Sequence, residues 1–339
     1  MRDATFRKRR RGYTENMPRA ARIALLSIVT CAIAVATVTA QQPVKRTPWG
    51  DPDLRGTWPS GSMIEVPFER PRELGTRAEL TEAEFANFAS TLAAQAESDL
   101  AESGPGGGAT PPPHWLEHGK PSRQTSLVVD PPDGRLPPMT DDGARRAAVW
   151  RQHGASDFPV AGPEDLTPYD RCITRGVLGS AFPNIYSAGM EILQAPGYVI
   201  IRYEMIHETR IIPLDGRRHV GPAIRSYMGD ARAHWDGATL VIETTNFNGR
   251  TGSLGRNANG NPTTDALRLV ERYTLTAANT LQYRVTVDDP KTWTRPWTVS
   301  FPLQRDMEYR IFEYACHEGN YAMRNMLNGA RVAEARAAK

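Results

Sequence analysis

A series of short segments with β-strand character, separated by turn residues, fills the second half of the chain and limits the folds it can adopt. The segments are residues 197–212, 231–235, 238–247, 267–275, 280–287, 297–303 and 308–316. Asp236-Gly237 between two of them is a strong hairpin signal, and Pro213 ends the first, which reads as one long strand or a bent hairpin. Strands in series with short connections predict a mainly β (α+β) fold, an antiparallel meander forming a barrel or a strongly curved sheet. No strand–helix alternation appears, which argues against a Rossmann fold or a TIM barrel.

The first part of the chain differs from this pattern and predicts an irregular arm with two helices. Thr81 and Glu84 form a capping box that opens one helix, and Thr140 caps a second helix ending near Gln152. Residues 103–113 are rich in Gly and Pro and read as a linker. We therefore divide the chain into a signal peptide, an arm, a barrel-like domain and a tail, spanning residues 1–40, 41–160, 161–330 and 331–339.

The N-terminus carries the pattern of an export signal. Residues 23–38 are uncharged, Arg19 and Arg22 precede them, and the small residues Val38 and Ala40 occupy the positions a signal peptidase reads. Sixteen residues is short for a membrane span of about 20, although an uncleaved anchor is the alternative. Met17 is a second candidate start. The pattern predicts a periplasmic or extracellular protein.

Removal of the signal changes the charge balance of the chain. Residues 1–40 hold eight Lys or Arg and two Asp or Glu, so the remaining 299 residues carry 33 basic and 36 acidic side chains, a net charge of −3. No basic stripe is left for nucleic acid, and no second apolar run has membrane-spanning length. We expect neither a nucleic-acid partner nor a membrane span in the mature chain.

Three cysteines are present, and Cys31 lies within the signal. Cys172 and Cys316 remain as an even pair in an oxidising compartment, which predicts a disulfide between them. Two buried free thiols are the alternative.

Side chains alternate across a strand, so each predicted strand has one mostly apolar face interrupted by polar residues. If these faces line a cavity, the side chains of four candidate catalytic residues point into it: His207, Glu243, Glu271 and His317. The same faces carry the candidate substrate-binding residues Tyr203, Tyr273, Tyr283 and Glu313. A carboxyl group in an apolar cavity must be paired or have its pKa raised, which suits a general acid or base. Alternatively, Glu243 lies at a strand end, Glu271 pairs with an arginine across the sheet, or a face is shifted by one residue.

Other chemistry has little support in the sequence. No nucleophile elbow, Walker loop, zinc-protease motif or dinucleotide fingerprint occurs in a suitable context. His207 and His317 could ligate a metal together with Glu243 or Glu318. The spacing of these residues in the sequence does not specify a metal site, so we assign no metal and no cofactor. Residues 246–261 read as a long loop that could cover one end of the fold.

Five motifs resemble those of a large family of exported bacterial proteins, and the resemblance spans nearly the whole mature chain. They lie at residues 47–58, 125–135, 204–216, 235–247 and 314–321. This resemblance implies export but no particular activity. Gly56-Thr57-Trp58 is also similar to the Gly-x-Trp of lipocalins, which implies a barrel with Trp58 at its floor.

These features together lead to a functional expectation. We expect an exported protein with a pocket for a small hydrophobic or aromatic molecule. The leading reading is a cofactor-independent acid/base enzyme, a lyase, hydratase, isomerase or hydrolase, with Tyr283 orienting the substrate. A lipocalin-like carrier without catalysis and a structural envelope protein are the alternatives.

Overall fold

A computed structural model describes residues 45–101, 117–153, 160–250 and 263–338. Within them, ten strands form two antiparallel sheets. The predicted signal peptide and most of the predicted linker and loop lie outside the described residues.

The larger sheet has six strands in the order β2-β10-β9-β8-β7-β6. Their bounds are β2 Val128–Asp130, β6 Asp230–Asp236, β7 Thr239–Thr245, β8 Arg268–Ala277, β9 Thr280–Asp288 and β10 Trp297–Gln304. Strands β6 to β10 follow one another as a meander, and Gly237 takes a positive φ of 60° in the β6–β7 turn, as the Asp-Gly signal predicts.

The smaller sheet has four strands in the order β1-β3-β4-β5. Their bounds are β1 Gly56–Thr57, β3 Met190–Ala195, β4 Tyr198–Tyr203 and β5 Thr209–Pro213. Residues 197–212 are therefore a bent hairpin rather than one strand, with a 3₁₀ turn at Met205–His207 between β4 and β5.

One hydrophobic core takes side chains from both sheets and from the N-terminal arm. Trp58 and Phe68 of the arm pack with Ile201 of the smaller sheet and with Leu269 and Phe301 of the larger one. The Trp58 indole N–H donates to the Leu54 carbonyl at 2.8 Å, and the guanidinium of Arg305 lies 4.5 Å from the centre of the Trp58 ring.

The prediction of mainly antiparallel β structure is confirmed, whereas a closed barrel is not found. The edge strands β5 and β6 lie close together, yet the described residues show two separate hydrogen-bonded sheets rather than a single closed ladder. The lipocalin-like barrel is therefore not shown.

Two strand predictions are wrong. Residues 308–316 contain no strand and follow an irregular path after β10. In β7, the inward residues are Leu240, Ile242 and Thr244, each with none of its surface exposed, so Glu243 lies on the opposite face from the one predicted. The run Leu240-Val241-Ile242 is apolar at consecutive positions, so alternation alone leaves the face undecided.

Within the described ranges, four helices accompany the sheets: α1 Glu82–Ala101, α2 Asp141–His153, α3 Gly176–Ala181 and α4 Ala322–Ala337. The predicted caps are present. The hydroxyl of Thr81 accepts a hydrogen bond from the Glu84 N–H at 3.4 Å, and the hydroxyl of Thr140 accepts one from the Gly143 N–H at 3.0 Å. No helix among the described residues has the length and apolar composition that crossing a membrane requires.

Candidate functional site

Residues from both sheets converge in the core on one buried ion pair. Arg210 of β5 donates two hydrogen bonds to Glu271 of β8, at 3.0 Å to Oε1 and 2.6 Å to Oε2. The Arg210 side chain is 4% exposed and that of Glu271 is 0% exposed. The pair therefore joins the two sheets inside the core. Glu271 does have an arginine partner, but it comes from the other sheet and not from across its own sheet, as the sequence alternative had it.

Neutral hydroxyl groups also contact this ion pair. Tyr273 and Tyr283 each donate to Glu271 Oε1 at 3.2 Å, and Arg210 donates to Thr244 Oγ1 at 3.1 Å. The Tyr203 hydroxyl lies 3.4 Å from an Arg210 nitrogen. We call these six residues the buried ion-pair cluster.

Burial and charge set the protonation of this cluster. Burial raises the pKa of Tyr273 and of Tyr283, and the negative charge of Glu271 raises it further, so both phenols stay protonated as donors. Burial opposes the charge of Arg210, but Glu271 outweighs that effect and raises the arginine pKa well above its usual value. Four of the sequence-predicted residues thus meet here: Tyr203, Glu271, Tyr273 and Tyr283.

The other four predicted site residues lie elsewhere. Glu243 is 37% exposed and accepts a 2.6 Å hydrogen bond from Arg268, which lowers the pKa of Glu243. His207 is exposed in the turn after β4, with Nδ1 3.1 Å from the Tyr314 carbonyl, and Glu313 and His317 are exposed on the irregular segment. The expectation that all four face a shared interior is wrong, because none lies on an inward strand position.

A second polar cluster, which the sequence did not reveal, lies where β4 ends. Glu204 is 7% exposed, its backbone N–H donates to the Gly189 carbonyl at 2.9 Å, and its carboxylate accepts a hydrogen bond from the Tyr309 hydroxyl at 2.7 Å. Glu117, held by a 2.8 Å bond from its N–H to the Ile185 carbonyl, is half-buried beside them. We call Glu117, Glu204 and Tyr309 the carboxylate–tyrosine site.

Glycine packing shows how tightly this site is built. A Cβ atom added to Gly189 would lie 2.6 Å from Glu204 Oε2 and 2.7 Å from Tyr309 Cε1. A Cβ added to Gly61 would lie 2.9 Å from Glu117 Oε2. The two carboxylates therefore rest against bare backbone, and side chains at either glycine would displace them.

The two carboxyl groups influence one another. Burial raises the pKa of Glu117, and the negative charge of Glu204 raises it further. Burial and the bond to Glu204 also raise the pKa of Tyr309, so its phenol remains a donor. One carboxyl group thus holds its proton more strongly than an ordinary glutamic acid, next to a second that is buried and hydrogen-bonded.

Backbone strain concentrates in the segments that carry this site. Ile206 and His207, which follow Glu204, have φ values of 53° and 42°, and Ser187, two residues before Gly189, has 52°. A positive φ in a β-branched residue such as Ile206 is an outlier, and such conformations cost of order 1–3 kcal/mol and cluster at functional sites.

The predicted disulfide is confirmed and ties down the segment that supplies Tyr309. Cys172 and Cys316 are bonded, with their Cα atoms 5.6 Å apart. The segment is also held by the hydroxyl of Tyr314, which lies 3.0 Å from that of Tyr169. Tyr309 thus reaches Glu204 from 105 positions away in the chain.

The described residues contain no group of three or more His, Cys, Asp or Glu side chains arranged to hold a metal ion. No protein-family model, curated protein or solved structure matches the chain, so the resemblance to exported bacterial proteins stays an expectation from the sequence.

Proposed function

We propose that this protein is an exported acid/base enzyme whose proton-transfer groups are Glu117 and Glu204, assisted by Tyr309. The observation that carries the proposal is the pairing of a half-buried carboxyl group of raised pKa with a buried carboxylate that a phenol holds in place. Pairs of acids whose surroundings differ in this way divide the roles of proton donor and proton acceptor.

Differences in exposure and hydrogen bonding between the three residues support a division of roles. Glu117 keeps part of its surface accessible, so it is the group that delivers a proton to a bound molecule or removes one. Glu204 is the buried partner: burial raises the pKa of Glu117, and the negative charge of Glu204 raises it further. Tyr309 is also part-exposed and orients the Glu204 carboxylate through its 2.7 Å hydrogen bond.

The surroundings of Glu117 support a proposal for the substrate class. A Cβ at Gly61 would lie 3.6 Å from the Ala188 methyl group and 3.8 Å from Ile64 Cδ1, so apolar groups border the carboxylate. We infer a small, largely apolar organic molecule and a reaction of the lyase, hydratase, isomerase or hydrolase type. These reactions need a proton donor and acceptor but no organic cofactor.

Export remains part of this proposal. A disulfide between Cys172 and Cys316 suits an oxidising compartment, and the sequence predicts a signal peptide before residue 41. A periplasmic or extracellular location would remove the enzyme from the cytosolic pools of soluble cofactors.

The test is a turnover screen with matched amide variants. Wild-type protein is incubated with small aryl and alkyl esters, lactones, enones and hydroxy acids in deuterated buffer, and the products are followed by proton NMR. For a compound that is turned over, we expect Glu117→Gln and Glu204→Gln to lower the rate by about 100-fold or more, the usual contribution of a positioned acid or base. Glu243→Gln removes a carboxylate that pairs with Arg268 on the surface and is the control, expected to keep the rate.

Three outcomes would count against this assignment. Turnover that survives both Glu117→Gln and Glu204→Gln would refute it, and loss of turnover in Glu243→Gln would return the acid/base role to a residue predicted from the sequence. A ¹³C NMR titration showing an ordinary pKa for Glu117 would remove the physical basis of the proposal. Binding without turnover would favour the carrier alternative.

A further inference from the structure

A pocket of about 360 Å³ lies between helix α1 and the chain segments on either side of it. One face of α1 lines it with Glu84, Asn87, Phe88 and Thr91, which share that face because of their helical spacing. None of its lining residues belongs to the carboxylate–tyrosine site. Its volume falls within the range of about 300–1,000 Å³ that is typical of small-molecule sites.

The pocket is formed by walls that are held in place. Arg77 forms an ion pair with Glu84 on α1, and the guanidinium of Arg123 lies 4.9 Å from the centre of the Phe85 ring. Leu92, one turn beyond Phe88, is 9% exposed and anchors the helix to the protein. Phe88 between these anchors stays half-buried, because the space in front of it is the pocket.

The lining combines an apolar surface with negative charge. Apolar side chains form much of the wall: Val66, Pro67, Pro71, Leu74, Leu80 and Phe88. The lining contains no Lys or Arg and two carboxylates, Glu65 and Glu84. Arg77 neutralises Glu84 and holds its pKa at about 2. In the described part of the chain, Glu65 has one polar contact, a 3.5 Å bond from the Gly119 N–H.

We propose that this pocket binds a small organic amine as its cation, with an aromatic or aliphatic body against Phe88 and Leu74 and the ammonium group at Glu65. Burial of the apolar body provides the driving force, and the charge of Glu65 selects the sign of the ligand. An anion of the same shape would meet a carboxylate with no cation in the lining to offset it. This site is separate from the acid/base proposal and requires no turnover.

Two probes of similar shape and opposite charge test the proposal. Ligand-observed NMR titrations compare 2-phenylethylamine with 3-phenylpropionate at pH 7. We expect the amine to bind about five-fold more tightly, the upper range for an ion pair with solvent access. Glu65→Gln should reduce that preference to less than about two-fold. Glu73→Gln, which removes an exposed carboxylate outside the lining, is the control and should leave the preference unchanged.

A second pair of variants tests the location. Thr91→Trp places a large ring in the pocket and should abolish binding of the amine, while Ser90→Trp adds the same ring at an exposed position outside the lining and should not. Failure of the amine to bind wild-type protein, equal binding of both probes, or undiminished binding to Thr91→Trp would each overturn the proposal. This result is independent of the acid/base assignment, because no lining residue of the pocket belongs to the carboxylate–tyrosine site.

Discussion

Removal of Arg210 is the sharpest test of how the two sheets are joined. Arg210→Met keeps an apolar side chain of similar length but deletes both hydrogen bonds to Glu271 and the bond to Thr244. Glu271, with none of its surface exposed, then keeps only the hydroxyl groups of Tyr273 and Tyr283. An unpaired buried charge of this kind costs about 3–5 kcal/mol.

That loss is a large fraction of the stability of a typical protein, about 5–15 kcal/mol. We expect Arg210→Met to lower the free energy of unfolding by about 3–5 kcal/mol, measured by urea unfolding at pH 7 with tryptophan fluorescence and the disulfide intact. Arg268→Met makes the same substitution in an ion pair whose arginine side chain is 46% exposed. This control should cost at most about 1 kcal/mol.

A double variant separates the lost pair from a general packing defect. When Glu271→Met is added to Arg210→Met, the buried charge disappears, and part of the lost stability should return, at least about 1 kcal/mol. Recovery will be incomplete because Tyr273 and Tyr283 lose their acceptor. An Arg210→Met variant no less stable than Arg268→Met would refute the reasoning, provided that both unfold with the wild-type dependence on urea.

Two further predictions concern the carboxylate–tyrosine site. The raised pKa of Glu117 means that the carboxyl group of Glu117 binds its proton more tightly in the folded protein than in the unfolded chain. As the pH rises from the ordinary glutamic acid pKa through the raised pKa of Glu117, ionisation of this group therefore lowers the free energy of unfolding. We therefore expect Glu117→Gln to stabilise the protein at pH 7 but not at pH 4 in urea unfolding, and a gain equal at both pH values would contradict the assignment. Gly189→Ala forces a methyl group against Glu204 and should cost about 1–3 kcal/mol, whereas Gly221→Ala, with no atom within 4 Å of the added carbon, should cost less than about 1 kcal/mol; equal losses would show that the contact is relieved without strain.

The sequence predicted the fold best where strands are long and uninterrupted. Along β8 and β9 the alternation is regular, and Glu271, Tyr273 and Tyr283 all point into the core as expected. Along the bent hairpin the alternation of buried and exposed residues is interrupted. The 3₁₀ turn at Met205–His207 changes which residues of β5 face the core. Arg210 is therefore buried, while the apolar side chain of Ile211 is 68% exposed.

The carboxylate–tyrosine site could not be found in the same way. Its members come from the N-terminal arm, the end of β4 and an irregular segment, so no strand periodicity relates Glu117, Glu204 and Tyr309. The prediction of a strand at residues 308–316 would have placed Tyr309 on an apolar face. The predicted disulfide was the one available signal, because it ties Cys316, near Tyr309, to the body of the protein.

The two polar clusters differ in solvent access, in the pKa of their carboxyl groups and in backbone strain. In the buried ion-pair cluster every oxygen of Glu271 is matched by a donor and the side chain is closed to solvent, an arrangement that fixes how the sheets meet. At the carboxylate–tyrosine site burial and the charge of a second carboxyl group raise the pKa of Glu117, and Ile206 holds an unfavourable φ of 53° beside Glu204. Both features lower stability, and a chain shaped for stability alone would replace them with an amide and a glycine. Their presence together, next to accessible groups that can exchange a proton, is why our proposal assigns proton transfer to the end of β4 rather than to the core.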